Sequence, residues 1–137
     1  MGRIVAIDYG TKRVGIATTD PLQMIASPLD TVHSKDVINF LKEYNAREEI
    51  EAFVVGMPKN LQNEDTNATI HVKQFVVVLK KTFPEKEVHL MDERFTSKMA
   101  LQTMITGGTK KKDRAKKENL DKISATIILQ SYLASKL

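Results

Sequence analysis

An α/β fold, with a mixed sheet and helices on both of its faces, is what this 137-residue sequence predicts. Three observations lead there. The chain opens with three short apolar runs separated by turn residues, which reads as an antiparallel meander. Strand-like runs then alternate with segments of helical period, the pattern of parallel additions to a sheet. No internal repeat or low-complexity linker interrupts the order β-β-β-α-β-α-β-α-α, so one domain spanning residues 1–137 is expected.

The elements follow in order. Arg3-Ile4-Val5-Ala6-Ile7-Asp8 is an apolar run ending in an acid, the mark of a buried strand. Tyr9-Gly10-Thr11-Lys12 supplies a turn into a second strand, Arg13–Thr19, which carries small residues at Gly15 and Ala17. Pro21 and Pro28 punctuate the next stretch, with a third strand over 27–32. Ser34 reads as a helix N-cap, and Val37, Ile38, Leu41 and Tyr44 recur with helical spacing. Residues 50–56 (IEAFVVG) form a strand, and a polar stretch over 57–65 follows. A helix over 66–82 offers Ile70, Phe75, Val78 and Leu79 to the core and is closed by Pro84. Glu87–Asp92 is a further strand, again ending in acid. Thr96 caps a helix running through Met99, Leu101 and Met104 to the Gly107-Gly108 stop. Asn119 caps a last helix reaching Leu137, with Asp121 in its first turn.

Composition narrows the chemistry. The absence of cysteine excludes a disulfide framework, a thiolate nucleophile and a cysteine zinc site. The start of the chain lacks the apolar core and small-residue cleavage site of a signal peptide. No run of 18 apolar residues offers a membrane span. A cytoplasmic protein without a membrane partner is therefore expected. The net charge is +4, from 21 basic and 17 acidic residues. Residues 110–117 (KKKDRAKK) alone carry a local +5, which leaves the rest of the chain at −1. A near-neutral body with one basic tract (Lys110, Lys111, Lys112, Arg114, Lys116 and Lys117) suggests a local polyanion contact. A solvated loop is the simpler alternative.

The acids are informative by position. Asp8 ends the first strand, Asp92 and Glu93 end the last, and Asp121 opens the final helix. Carboxyl ends of neighbouring parallel strands lie together in an open α/β sheet. Asp8 and Glu93 therefore converge if their strands are adjacent, and the last helix can bring Asp121 to the same edge. Three clustered carboxylates repel one another, and a hard divalent cation removes the conflict. Mg²⁺ or Mn²⁺ held by Asp8, Glu93 and Asp121 would suit phosphodiester hydrolysis, in which paired ions activate a water and stabilise the leaving oxygen. Taken alone, each acid is also an ordinary surface carboxylate, and Asp121 an ordinary helix-terminal acid.

The turn after Asp8 adds to this. Gly10 permits a positive φ or a close backbone approach. Thr11 and backbone amides can hold a phosphate, and Lys12 and Arg13 place charge where a phosphodiester would lie. Lys59, Asn60 and Gln62, in the loop after the fourth strand, can contact backbone or sugar. Arg94 can clamp a phosphate or pair with a neighbouring acid. His33, His71 and His89 share no metal-ligand spacing, His89 is expected to alternate out of its strand, and no elbow motif supports a covalent nucleophile.

Four blocks together resemble a known family. They are Asp8-Tyr9-Gly10-Thr11-Lys12-Arg13-Val14-Gly15-Ile16-Ala17, Val54-Val55-Gly56-Met57-Pro58-Lys59-Asn60-Leu61, Asp92-Glu93-Arg94-Phe95-Thr96-Ser97, and Asp121-Lys122-Ile123-Ser124-Ala125 with Ile128-Leu129-Gln130. In this order they resemble the YqgF family. Its members are RNase H-fold proteins described both as Holliday junction resolvases and as nucleases maturing the 5′ end of pre-16S ribosomal RNA. The resemblance implies an RNase H-like fold and a metal-binding acidic trio at Asp8, Glu93 and Asp121. Two departures stand out: Gln62-Asn63 replaces a frequent Asp-Gly turn, and Ser124 precedes Ala125 where paired small residues are usual. Neither touches an acid.

The leading expectation is a metal-dependent nuclease, of endonuclease type, acting on structured RNA, with pre-rRNA favoured. Branched DNA is the alternative substrate, which would require a dimer with paired sites. A monomer or weak homodimer is expected. A non-catalytic nucleic-acid-binding module would be favoured by loss of an acid, and all three are present. A sugar-kinase-like phosphotransferase needs two lobes, for which 137 residues are too few.

Overall fold

The computed structural model describes residues 2–58, 67–92 and 117–136. Within them the elements are β1 (Arg3–Tyr9), β2 (Arg13–Thr19), β3 (Ala26–His33), α1 (Val37–Arg47), β4 (Ile50–Met57), α2 (Asn67–Thr82), β5 (Glu87–Asp92) and α3 (Lys117–Ser135). The helix expected over 96–108 lies outside the described residues.

The sheet has the order β3-β2-β1-β4-β5. The opening meander is antiparallel, with Asp8 opposite Gly15 in the β1–β2 ladder and Gly15 opposite Thr31 in the β2–β3 ladder. β4 and β5 are added parallel, with Ile7 opposite Val55 and Met57 opposite Asp92. This is the mixed sheet that the sequence predicts. β1 and β5 are not adjacent, however: β4 lies between them. The helix crossover between β4 and β5 places β5 outside β4, so Asp8 and the end of β5 face each other across one intervening strand. Two interstrand spacings amount to about 10 Å.

Strand alternation sorts the core into two layers. Val5 and Ile7 of β1 join Val14, Ile16, Phe53 and Val55 under α1 and α2. Ile4 and Ala6 join Ala17 and Val54 under α3, against Ala125, Ile128, Leu129 and Tyr132. β1 and β4 are buried on both faces, which is why they read as unbroken apolar runs rather than alternating ones.

Three expectations shift in the structure. In α2 the buried stripe is Val72, Phe75, Val76 and Leu79, an i, i+3, i+4, i+7 pattern. Ile70 and Val78 lie off that stripe and are exposed. Ser34 does not cap α1. The N-cap is Asp36, reached through a turn in which the Asp36 amide donates to the His33 carbonyl at 2.9 Å. α3 begins at Lys117, so Asn119 stands inside the helix and Asp121 falls in its second turn.

Candidate active site

Asp8 sits near the carboxyl end of β1, the central strand of the five. It shares a strand face with Ile4 and Ala6, both of which pack under α3. Asp8 therefore lies on the α3 side of the sheet, at the point where the apolar core gives way to half-buried positions.

Its neighbours on that face are small. Gly15 is its partner across the β1–β2 ladder. A Cβ on Gly15 would lie 2.0 Å from the carbonyl oxygen of Asp121 and 2.4 Å from its carbonyl carbon. Nothing larger than hydrogen fits there, so the backbone of α3 rests directly on β2 beside Asp8. The helix continues with Ser124 and Ala125, both buried, and Ala125 packs in one cluster with Ala6 and Ala17 of the strands. On the other side of β1, Gly56 lies one step beyond the Ile7–Val55 pair and two residues beyond Val54, on the α3 face. Asp8 is thus flanked by two positions without side chains, and on the Gly15 side the α3 backbone occupies the space.

Asp121 is brought to the strand pair that carries Asp8 by the helix seat on Gly15. Its Oδ2 accepts a hydrogen bond from Arg13 Nε at 3.0 Å, in an ion pair whose side chains are 39% (Arg13) and 24% (Asp121) exposed. Arg13 is fixed at the start of β2 by its ladder position opposite His33. The turn before it is tightly held. A Cβ on Gly10 would lie 2.5 Å from the Arg13 carbonyl oxygen, so Gly10 answers a close approach rather than a left-handed φ. Ser34 anchors the turn from the far side. Its hydroxyl donates to the Thr11 carbonyl at 2.6 Å, and its amide to the Lys12 carbonyl at 3.2 Å. Thr11 and Lys12 are exposed on this pinned turn.

At the exit of β4, buried Thr69 of α2 donates its hydroxyl to the Pro58 carbonyl. This tie fixes the chain at Pro58, immediately before Lys59 and Asn60 in sequence. Those two residues, with Glu93, Arg94, Lys110, Lys111, Lys112 and Arg114, lie outside the described residues. Among the described residues, no three histidines or acids form a metal-holding group. His89 packs its ring against Tyr132 of α3 with centroids 5.1 Å apart, and its Nε2 lies 3.1 Å from a Glu87 carboxylate oxygen. It therefore lies on the α3 face of β5 with its side chain still 37% exposed. His71 is on the exposed side of α2.

Sequence reasoning brings Asp8, Asp121 and Arg13 into view but not their connection. It also misses Ser34 as the anchor of the Gly10–Lys12 turn and Gly15 as the seat of α3. The available signal is small residues in two places, Gly15 and Ala17 in one strand and Ser124 and Ala125 in the last helix. Matched small positions allow close approach of backbones.

Comparison with known proteins places this geometry. A family described as "RuvX: Holliday junction resolvase" matches residues 2–135. A protein of Amoebophilus asiaticus named "Putative pre-16S rRNA nuclease" is 54% identical over 135 residues, covering 98% of this chain and 96% of that protein. A relative of the same name from Flavobacterium psychrophilum is 50% identical over 137 residues, the whole of both chains. Among solved structures, T. thermophilus RuvC in complex with Holliday junction substrate aligns with a TM-score of 0.59 at 15% identity, covering 99% of this chain and 96% of that one. That likeness is one of fold, and it is the RNase H-like fold expected from the sequence.

Proposed function

The chain belongs to the RuvX family of Holliday junction resolvases, the YqgF group that its four blocks resemble, and from that premise we propose that it is a metal-dependent nuclease that matures the 5′ end of pre-16S rRNA. The reaction class, phosphodiester hydrolysis, follows from the family. The finer reading rests on one observation. Asp8 and the Asp121 segment of α3 meet across Gly15 at the carboxyl edge of the central strand.

A divalent cation fits the residues present. The donor set is carboxylate oxygen, the preference of Mg²⁺ and Mn²⁺. Gly56 puts no side chain beside Asp8, and at Gly15 the backbone of α3 fills the space and brings Asp121 in. Asp8, Asp121 and Glu93, which follows directly on β5, would hold the ion. When bound, it would supply a nucleophilic water and offset charge on the leaving oxygen. The chain's own residues do the rest. Asp8 is held by a strand hydrogen-bonded on both sides. The pinned turn presents Gly10, Thr11, Lys12 and Arg13 to the phosphodiester backbone. Lys59, Asn60 and Arg94 extend that contact, and the basic tract through Lys110, Lys111, Lys112 and Arg114 draws in the polyanion. The whole of residues 1–137 acts as one domain, as a monomer or weak homodimer in the cytoplasm. No helix among the described residues is long and apolar enough to cross a membrane.

Relatives at about half identity carry the ribosomal RNA name, which favours that substrate. The family description favours a branched DNA junction as the second reading. One experiment separates them. Purified protein with Mg²⁺ or Mn²⁺ is offered a precursor 16S leader RNA and a four-way DNA junction, with Asp8→Asn and Glu93→Gln beside wild type. Cleavage of the leader alone, lowered more than about 100-fold in both variants, is the expected result. That loss exceeds the roughly 10–100-fold typical of residues that only support a metal ligand. Junction cleavage alone reverses the substrate assignment. Equal cutting by variants and wild type removes the catalytic assignment.

A further inference from the structure

Arg13 carries a contradiction. Its position beside the Thr11–Lys12 turn suits a phosphate contact, yet its guanidinium is engaged by Asp121, with Nε 3.0 Å from Oδ2. Asp121 is in turn a proposed metal ligand. A guanidinium and a divalent cation on the same carboxylate repel each other even when they take different oxygens, so each weakens the other's hold on Asp121. The backbone cannot relieve the conflict. β2 is fixed by its ladders on both sides, and α3 is seated on Gly15 with no slack. The side chain of Arg13, 39% exposed and long, is the part free to move.

We propose that Arg13 is an exchangeable counter-cation of this site. Without a divalent ion it neutralises Asp121 and holds that carboxylate at the start of β2. When the ion binds, it displaces the guanidinium, which passes to the phosphodiester backbone at the adjoining turn. Arg13 is then a positioning residue for the empty site and a phosphate ligand for the loaded one. Metal loading and substrate binding become coupled, since each makes the other's partner available. The inference rests on Asp121 being a metal ligand, as proposed above.

The test reads the ion and the guanidinium directly. Mn²⁺ binding is measured by calorimetry without nucleic acid for wild type and Arg13→Gln. Removing the competitor should tighten binding by about 2–5-fold, the range expected for a partly exposed ion pair. The melting temperature of Arg13→Gln should fall below wild type without metal, and the gap should close at saturating Mn²⁺. In wild type, the Arg13 Nε–H signal is identified by its loss in Arg13→Lys. On adding Mg²⁺ it should shift and exchange faster with solvent. This last measurement needs no folded Gln variant. Unchanged or weaker Mn²⁺ affinity in Arg13→Gln, a melting gap that persists with metal, or an Nε–H signal unmoved at saturating Mg²⁺ overturns the exchange. Wild type that binds no Mn²⁺ overturns both the exchange and the metal reading. Wild type that binds Mn²⁺ and cleaves, with an unmoved Arg13 signal, overturns the exchange alone.

Discussion

Gly15 and Asp121 are in backbone contact so close that a single methyl group on Gly15 would overlap the Asp121 carbonyl, at 2.0 Å. The contact sets how near the last helix lies to Asp8. Gly15→Ala should therefore push α3 off β2. The overlap is with backbone, which cannot swing away as a side chain can, so a loss near the upper end for overpacking is expected, about 3 kcal/mol by urea unfolding. Cleavage should fall more steeply than stability, since the displaced helix takes Asp121 with it. Wild-type stability and activity in Gly15→Ala would show the seat to be dispensable.

The α2 stripe makes a second prediction. Leu79 is fully buried, whereas Val78 beside it is 48% exposed. Leu79→Ala should cost about 2–5 kcal/mol, the usual range for a buried leucine. Val78→Ala should cost about 0.5 kcal/mol or less, as for a surface change. Chemical denaturation of the pair gives the answer, and a reversed order would place the helix in a different rotation.

Asp20 organises the β2–β3 connection. Its carboxylate accepts from the amides of Ile25 at 2.8 Å, Met24 at 2.9 Å and Leu22 at 3.2 Å. The Ile25 amide first, then that of Met24, holds the carboxyl below its ordinary value of 3.8. Because the folded value is depressed, the contribution is present above pH about 3.8 and fades as pH falls through the folded value. Gln23 sits in this loop at φ 59, with its amide bonded to the Gly2 carbonyl and to Glu51. In an NMR titration the Met24 and Ile25 amide signals should move together below pH about 3.8 in wild type. Asp20→Asn should remove that transition, and its persistence would assign it to another acid.

For the basic tract, neutralising Lys110, Lys111, Lys112 and Arg114 should weaken nucleic-acid binding. The slope of log affinity against log salt should flatten by up to about 3.6, at roughly 0.7–0.9 for each phosphate that is no longer neutralised. Affinity measured at several salt concentrations is the check. An unchanged slope would return these residues to a merely solvating role.

How much of this is legible depends on whether the signal is local. β2 and β5 are read with their bounds because a run of apolar residues between turn residues is contiguous in sequence. Asp8 is read for the same reason, as an acid that closes such a run. The stripe of α2 is misread because Val76, Val77 and Val78 are identical, and only packing chooses among them. Ser34 looks like a cap because the residue type suits one, while its hydroxyl is taken by Thr11, 23 positions away. The Arg13–Asp121 pair spans 108 positions, and no periodicity encodes it. Gly15 reads in sequence only as a small residue within a strand, and its reason is the helix backbone laid upon it. The separation of β1 from β5 by β4 follows from strand order, which residue spacing does not carry.

The seat of α3 on β2 has a consequence for synthesis of the chain. The meander β1–β2–β3 can pair as soon as it leaves the ribosome, since its contacts are between neighbours in sequence. Asp121 arrives only with the final helix, after every strand has been made. Ile4, Ala6, Ala17 and Val54 stay uncovered until then, because α3 is what covers them. A nascent chain would therefore carry Asp8 long before it carries an assembled site. Burial of the second core layer and assembly of the acids become one event. A nuclease built this way would acquire its activity only when its fold is complete.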